Sequence, residues 1–261
     1  MKVITKDLSY LKDDIKITPL TDFHLGSPQC DIKKIKSLLK KIEKDKTAFC
    51  FLGGDIMDTT LKSSVGSVYQ NSMQPMAQLD FAVELLKPLA DKGRILAIVG
   101  GNHEARISKD VGLDLTKLLA CQLGIADVFC PETCLLFLKV GEKKHKKRPY
   151  QYISYITHGS GGGRRDGGKI NRLVDLAEIV DADVYFCGHT HLPATLKKDF
   201  IRPNYTNQSL SQITRTFVNS SAMLKYGGYG EVQGYTPSSI AYPQVIFKGK
   251  GTDKLEVRVI L

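Results

Sequence analysis

The sequence predicts an α/β protein built from packed layers of strands and helices. Short apolar runs alternate with longer amphipathic segments along the 261 residues, as they do in layered α/β folds. Hydrophobic residues make up 42% of the composition, enough for one sizeable core, and no change in composition divides the chain. Five of the six histidines lie in polar blocks that follow predicted strands. We therefore expect a single domain, residues 1–261, with its functional site at strand ends.

The first half of the chain alternates predicted strands with predicted helices. Apolar residues recur at helical spacing in residues 32–42, and residues 79–89 also predict a helix. Residues 59–75 are polar and aperiodic, so we expect an excursion there that faces the substrate. Three apolar runs are predicted as strands: residues 15–20, 48–52 and 95–99.

The second half is richer in predicted strands. Helices are predicted over residues 113–123 and 169–180. Residues 135–140 and 150–157 flank the basic run 143–148 and predict a β-hairpin around it. The remaining β-rich segments are residues 184–187, 214–219, 244–247 and 255–260.

The polar blocks offer oxygen and nitrogen donors at the carboxyl ends of predicted strands. Side chains converge at this edge of an α/β sheet because the backbone leaves the sheet there. Aspartate, asparagine and histidine suit hard-to-borderline divalent cations, and no block contains the cysteines of a closed structural zinc site. The donors are Asp22, His24, Asp55, Asp58, Asn102, His103, His158, His189 and His191. The sequence therefore predicts a site for divalent metals.

The order of these blocks resembles the signature of the calcineurin-like metallophosphoesterase superfamily. That signature reads D-x-H, G-D-x-x-D, G-N-H-[DE], H and G-H-x-H, and each motif is present between Asp22 and His191. The resemblance implies a four-layer α/β/β/α sandwich, the metallo-dependent phosphatase fold. It also implies a binuclear-metal phosphoesterase that hydrolyses phosphate esters with metal-activated water.

The resemblance further implies that seven ligands hold two divalent cations. The first set is Asp22, His24 and His191, the second set is Asn102, His158 and His189, and Asp55 bridges both. Manganese is the expected metal, with iron, zinc, nickel or magnesium as alternatives, because these donor types suit all of them. Two such cations bind phosphoryl oxygens and activate a water for in-line attack.

Two further residues are implied to act in catalysis. In the family, the histidine beside the asparagine ligand faces the substrate, so His103 would protonate or stabilise the leaving oxygen. Asp58 would orient the His103 ring through a hydrogen bond. The alternatives are a purely structural histidine and an aspartate that only caps a loop or helix.

Charge and a departure from the family pattern favour a phosphodiester substrate in nucleic acid or a nucleotide. The formal net charge of +10 concentrates phosphate-bearing ligands near the surface. Phosphoprotein phosphatases of the superfamily carry Arg-Gly after the second acid of the second block, whereas this chain has Thr59-Thr60. We expect Arg106 to supply a replacement guanidinium for phosphate, and a solvated helix surface is its alternative.

A glycine-rich segment, residues 159–169, is a second candidate for substrate binding. Its spacing partly matches a nucleotide-binding P-loop, but Ile170 stands where serine or threonine should bind magnesium, so we reject that interpretation. We instead expect Arg164, Arg165 and Lys169 to contact substrate phosphates at the start of a helix. A merely solvated loop is the alternative.

Three tyrosines near the C-terminus are further candidates for substrate contact. Tyr226, Tyr229 and Tyr235 lie among glycines and would either stack on bases or cap a sheet edge.

Two alternative functions remain open. The alternative enzyme is a phosphomonoesterase acting on phosphoproteins or small metabolites. The rival of another class is a non-catalytic interaction module with this fold, against which the intact ligand set argues.

The sequence also predicts where the protein acts. The N-terminus lacks the apolar core of a signal peptide, and no apolar run is long enough to span a bilayer. The six cysteines follow no redox or zinc spacing, so free thiols are expected. We therefore expect a cytoplasmic protein that does not contact membranes, and the sequence leaves its oligomeric state open.

Overall fold

Two six-stranded β-sheets face each other in the computed structural model, which describes residues 1–62, 64, 68–252 and 254–261. The strands are β1 Lys2–Leu8, β2 Ile15–Leu20, β3 Ala48–Gly53, β4 Ile95–Val99, β5 Phe129–Cys130, β6 Thr133–Val140, β7 Tyr150–Thr157, β8 Val184–Cys187, β9 Ala194–Asn204, β10 Ser209–Asn219, β11 Gln244–Phe247 and β12 Val257–Ile260. The α-helices are α1 Ile32–Lys44, α2 Pro75–Asp91, α3 Asn102–Val111, α4 Leu115–Gln122, α5 Asp166–Asp175 and α6 Tyr229–Val232.

Each sheet has a parallel centre and an antiparallel edge. The first sheet has the order β1-β6-β7-β8-β10-β9, in which β7, β8 and β10 are parallel. The second has the order β12-β11-β2-β3-β4-β5, in which β2, β3, β4 and β5 are parallel. Because parallel strands end at the same edge, the loops after β2, β3 and β4 lie side by side, as do those after β7 and β8.

The main core lies between the sheets, and helices cover their outer faces. Phe51 of β3 meets Phe186 of β8 edge to face, with ring centroids 4.9 Å apart. The same cluster of buried residues extends to the helices. Ile35, Leu39 and Ile42 bury one side of α1 there, together with residues of α2 and α4. Leu173 of α5 belongs instead to a second cluster with β7, β8 and β10. This arrangement confirms the α/β/β/α prediction.

Most predicted elements are present, with shifts at their ends. Strands predicted at 15–20, 95–99, 184–187 and 244–247 have the predicted bounds, and β6 and β7 form the predicted hairpin. The helix predicted over 169–180 begins earlier, at Asp166, and passes into a 3₁₀ turn, Leu176–Glu178. The predicted excursion 59–75 lies partly outside the described residues.

Strands β1 and β9 and helix α3 are among the elements without a counterpart in the predictions. Strand β9 is exposed along most of its length, so its sequence lacks the apolar signal of a buried strand. Helix α3 buries only Glu104 and Ile107, which leaves no apolar stripe to indicate it. In the described part of the chain, no helix combines the length and apolar character needed to cross a membrane.

Candidate metal centre

The seven predicted ligands converge where the carboxyl ends of the parallel strands meet. They follow four strands of the two sheets and one helix start: Asp22 and His24 after β2, Asp55 after β3, Asn102 at the start of α3 after β4, His158 after β7, and His189 and His191 after β8. Residues distant in sequence are thereby brought into contact across the interface of the sheets. We call these seven residues the metal centre.

One half of the metal centre consists of Asp22, His24 and His191. Their candidate ligand atoms all lie within 4.8 Å of one another. His191 Nε2 is 3.3 Å from Asp22 Oδ1 and 3.3 Å from His24 Nε2. Asp22 and His24 are buried, whereas the His191 side chain is 36% exposed and faces the opening.

The other half brings together Asp55, His158 and His189, again within 4.8 Å. Asn102 joins them, since its Oδ1 is 3.0 Å from His158 Nε2 and 2.8 Å from His189 Nδ1. His158 Nδ1 is 2.8 Å from the carbonyl oxygen of Gly53, so Nδ1 carries a proton and donates to that oxygen. The structure places Asp55 in this half, and its bridging role stays a prediction.

The donor atoms lie close enough together to hold a metal. When the His158 ring is neutral, Nδ1 donates to the backbone and the Nε2 lone pair faces Asp55 Oδ2 at 3.2 Å and Asn102 Oδ1. Such lone pairs repel one another unless a proton or a metal cation lies between them. The same holds for the two Nε2 atoms of His24 and His191. Nitrogen and oxygen donors without cysteine fit the borderline divalent cations expected from the sequence.

Asp58 lies behind the metal centre and contacts two histidines. Its Oδ1 is 3.4 Å from Nδ1 of His24 and 3.4 Å from Nδ1 of His103, while Thr60 donates a hydrogen bond to the other oxygen. A carboxylate at Nδ1 of a ligand histidine orients the ring and directs Nε2 toward the metal. Asp58 is therefore placed to orient His24 as well as His103, and the first of these contacts was not predicted.

His103 stands at the edge of the metal centre with one ring nitrogen held by the protein. Its Nδ1 is 2.7 Å from the backbone carbonyl oxygen of Asp58, closer than the carboxylate. Its Nε2 is 3.8 Å from Asp55 Oδ2 and 2.9 Å from Nη2 of Arg106. Arg106 thus contacts the imidazole directly, a contact that its sequence position did not indicate.

Ligand residues adopt backbone conformations that are rare for their type. Left-handed φ angles between 49° and 62° occur at five of the seven: Asp22, His24, Asp55, His189 and His191. A non-glycine residue in this region costs on the order of 1 kcal/mol or more, and it persists only where the surroundings enforce it. The left-handed backbone conformation directs these side chains away from the strands and toward one another.

Glycines let the loops after β3 and β4 touch. A Cβ on Gly101 would lie 2.2 Å from the backbone nitrogen of Asp55. A Cβ on Gly54, which has a φ of +89°, would lie 2.7 Å from Nδ1 of His158. Any side chain at either position would push the ligands apart, which explains the two glycine-containing blocks.

Glu104 supports the metal centre and is not among the site residues predicted from the sequence. The buried carboxylate accepts hydrogen bonds from the backbone nitrogens of Asp55 at 3.0 Å, Met57 at 2.9 Å and Gly101 at 3.2 Å. The signal in the sequence was an acid three residues after the glycine that caps α3, the spacing of a capping box. Burial, reinforced by the charge of Asp55, raises the pKa of Glu104.

The protonation preferences follow from burial and from neighbouring charges. Burial alone would raise the pKa of Asp55, but the hydrogen bond and charge of His158 hold it well below its usual range. Burial opposes protonation of His158, yet Asp55 raises its pKa to about 10. Burial lowers the pKa of His24 and of His189, which favours the neutral imidazole that binds metals.

A cavity of about 510 Å³ opens above the metal centre. One part of its lining, which we call the glycine wall, consists of Gly161, Gly162, Gly163, Asp166 and Lys169. A second part, which we call the tyrosine wall, comes from residues 221–238, and His103 also lines the cavity. The tyrosine wall is tied to the metal centre, because Ser238 Oγ donates to the His191 carbonyl at 2.7 Å and Met223 N to that of Asp22.

The predicted substrate-binding residues divide between the cavity and its surroundings. Lys169 lines the glycine wall and pairs with Asp166 at 3.5 Å. Arg164 and Arg165 are exposed and do not line the cavity. Tyr226 and Tyr235 line the tyrosine wall.

The side chain of Tyr229, the third tyrosine named as a candidate base-stacking residue, lies outside the part of the structure that is described.

Comparison with solved structures finds distant similarities. A conserved uncharacterized protein of Streptococcus pneumoniae, described as a predicted phosphoesterase, is 13% identical, with a TM-score of 0.39, over 95% of this chain and 89% of that chain. Vacuolar protein sorting 29 of Cryptosporidium parvum is 14% identical, with a TM-score of 0.42, over 95% and 97%. A serine/threonine phosphatase of Saccharomyces cerevisiae is 12% identical, with a TM-score of 0.35, over 98% and 82%. At these levels of similarity, no conclusion about the activity of this chain follows from the solved structures.

The sequence comparison is more decisive. No curated protein is significantly similar to the chain. The family model described as calcineurin-like phosphoesterase, however, matches residues 15–193, which include every residue of the metal centre. This match spans more than half of the chain and confirms the resemblance of the motif set. The chain belongs to the calcineurin-like phosphoesterase family.

Proposed function

We propose that this protein hydrolyses phosphodiesters of nucleotides or nucleic acids with water as the attacking group and without a covalent enzyme intermediate. One observation supports the hydrolytic activity above all others. Seven metal donors from four strands and a helix start converge at one place, and five of them line the same cavity as His103: His24, Asp55, Asn102, His189 and His191. A fold that only needed stability would have no reason to hold strained, mutually repelling donors at a solvent-facing opening.

We propose that the metal centre holds two divalent cations, with manganese as the expected metal. Asp22, His24 and His191 would hold one, Asn102, His158 and His189 the other, and Asp55 would bridge them. When bound, such ions polarise the phosphoryl group and activate the attacking water. The support is the clustering of donors in two groups, Asp22 with His24 and His191 and Asp55 with His158 and His189, each with its ligand atoms within 4.8 Å of one another.

His103 would deliver a proton to the leaving oxygen. Its Nδ1 is held by the Asp58 carbonyl at 2.7 Å, which leaves Nε2 as the atom that faces the reacting group. Arg106 lies 2.9 Å from this Nε2. We propose that the guanidinium turns from the imidazole to the phosphate when substrate binds, since its planar donors suit phosphate oxygens.

The proposed preference for a diester rests on the net charge of the chain and on the absence of the arginine that phosphoprotein phosphatases use. Thr59-Thr60 replaces the arginine that phosphoprotein phosphatases use, and the net charge is +10. Lys169 is the predicted phosphate-binding residue inside the cavity, and Arg164 and Arg165 would contact only a substrate that extends beyond it. The exposed arginines therefore matter for a chain and not for a small ester.

A substrate panel with defined metals tests this proposal. Metal-free protein, reloaded with manganese, iron, zinc, nickel or magnesium, is assayed on bis(p-nitrophenyl) phosphate and on p-nitrophenyl phosphate. We expect the diester to be the better substrate, with no turnover before metal is added. A preference for the monoester would replace the proposal by a phosphomonoesterase. Bound metals without turnover of either ester would favour a non-catalytic module.

A further inference from the structure

The cavity above the metal centre has the size of a site for one small group. Its volume of about 510 Å³ is typical of pockets that bind small organic ligands. Arg164 and Arg165, the exposed cations of the glycine-rich segment 159–169, are not part of its lining. A nucleic-acid backbone would instead need a line of cations along an open groove.

The tyrosine wall has the chemistry of a site for a planar ring. Tyr226 and Tyr235 both line the cavity and are 53% and 37% exposed, so ring surface remains to be covered by a ligand. Leu224 and Pro237 add apolar surface beside them. Aromatic and apolar side chains of this kind stack on nucleobases, whose faces are apolar and planar.

A polar group beside the tyrosines matches the edge of such a ring. Gln29 lines the cavity, and its Oε1 accepts a hydrogen bond from Ser27 Oγ at 3.3 Å. Within the described residues, the Nε2 of Gln29 donates no hydrogen bond to the protein. An amide donor at a cavity wall is suited to a ring carbonyl or ring nitrogen of a ligand. Lys225 supplies a cation on the same wall for a ribose hydroxyl or a phosphate.

We propose that the tyrosine wall is the subsite for the nucleoside of a small phosphodiester, with Tyr226 and Tyr235 contacting the base and Gln29 donating to its edge. The inference rests on the proposed function, because the phosphate of the same molecule must reach the metal centre. It names the part of the substrate that the tyrosine wall would hold, the nucleoside next to the reacting phosphate. The glycine wall contributes Lys169 toward the phosphate but no ring contact.

Calorimetric binding to manganese-loaded protein tests the subsite independently of turnover. The ligands are adenosine 5′-phosphate and methyl phosphate, which share the phosphate and differ in the nucleoside. We expect the nucleotide to bind at least about fivefold more tightly, the lower end of what one stacked base contributes. Tyr226→Ala and Tyr235→Ala should each remove most of this difference, whereas the Tyr→Phe variants should keep it.

Tyr205→Ala is the matched control, because Tyr205 is a fully exposed tyrosine at the turn between β9 and β10 and does not line the cavity. Equal affinity for the two ligands in the unaltered protein would overturn the subsite and leave the proposed function standing. A nucleotide preference without hydrolysis of any diester would overturn the proposed function and leave the subsite standing.

Discussion

The metal centre and the two walls of the cavity above it are built in opposite ways. In the metal centre, Asp22 and Asp55 are buried, the backbone is left-handed, and glycines exclude any alternative spacing. In the walls, Tyr226 is 53% exposed and the loop from residue 161 to 166 is exposed throughout. The predicted metal ligands therefore lie at constrained strand ends, whereas the predicted substrate contacts lie in segments with few constraints.

This contrast shows how one fold can keep its reaction and change its substrate. A ligand in the metal centre depends on neighbours from other strands, so a single substitution there disturbs several donors together. A substitution in a wall disturbs only what that side chain touches. We therefore expect large losses of activity from the metal centre, intermediate losses from its supports, and small, substrate-dependent losses from the walls.

Loss of metal should have the largest effect. Asp55→Asn removes a carboxylate charge from the residue predicted to bridge both cations, so we expect at least about a 10³-fold loss of kcat on bis(p-nitrophenyl) phosphate. Chelation should abolish turnover, and manganese should restore it in the unaltered protein alone. Steady-state kinetics and metal analysis of the purified variant measure both effects.

Asp80→Asn is the control for this change, because Asp80 is exposed on α2 and does not line the cavity. It should retain full activity and two equivalents of metal. Full activity of metal-free protein would contradict the dependence on metals.

Removal of the His103 imidazole should have the next largest effect. We expect His103→Ala to bind both metals normally and to lower kcat by roughly 10² to 10⁴ if the imidazole is a general acid. The loss should shrink for esters with good leaving groups, because these leave without a proton. A series of aryl diesters of increasing phenol pKa measures this dependence.

An equal loss for good and poor leaving groups would remove His103 from that role. Loss of metal in His103→Ala would mean that the ring supports the metal centre. Metal analysis is a necessary control because His103 Nε2 lies 3.8 Å from Asp55 Oδ2.

Truncation of Glu104 should act through structure and not through chemistry. Glu104→Ala leaves three buried backbone N–H groups without acceptors, at about 1–3 kcal/mol for each buried donor left unpaired. We expect a free energy of unfolding lower by about 3 kcal/mol or more and metal affinity reduced by about 10- to 100-fold. Denaturant unfolding of the metal-free protein and metal titration measure the two effects.

Glu84→Ala on the exposed side of α2 is the matched control for the removed carboxylate. If Glu104→Ala unfolded at the same denaturant concentration as the unaltered protein, the three hydrogen bonds would not stabilise the loops.

The sequence indicated which residues converge at the strand ends because this information is local, and their binding of metal stays a prediction. Each block follows a strand and contains residue types that bind metals, so the order and spacing of the blocks were sufficient to identify the candidate ligands. What could not be predicted depends on distant contacts. The pairing of Arg106 with His103 Nε2, and of Asp58 with His24, follows from how the loops after β2, β3 and β4 pack, which no local pattern records.

The tyrosine wall was harder still. Its residues follow β10, far from every motif, and reach the cavity only because backbone hydrogen bonds join Met223 to Asp22 and Lys225 to Gln29. Strand β9 and helix α3 were missed for a related reason. An exposed strand and a polar helix are determined by their neighbours, and their own sequences carry no periodic apolar signal.

The smallest expected effect comes from the basic residues of the glycine wall and its flank. Replacing Arg164, Arg165 and Lys169 together with alanine should raise KM for an oligonucleotide and flatten its salt dependence. The log-log slope should fall by roughly 0.7 for each phosphate of a single strand that the variant no longer neutralises. Hydrolysis of bis(p-nitrophenyl) phosphate should change at most a few-fold, because only Lys169 lines the cavity. Initial rates measured from low to high salt on both substrates give the two slopes.

A triple alanine variant of Lys144, Lys146 and Arg148 is matched in charge and lies in the turn between β6 and β7, at the end of β7 opposite His158. It should lower the overall attraction for nucleic acid without changing the preference between substrates. Equal losses on both substrates from the glycine-wall variant would mean that this loop supports the metal centre itself. No loss on either would make the loop a solvated connection, and the contrast between a fixed metal centre and a substrate-binding wall would then rest on the tyrosine wall alone.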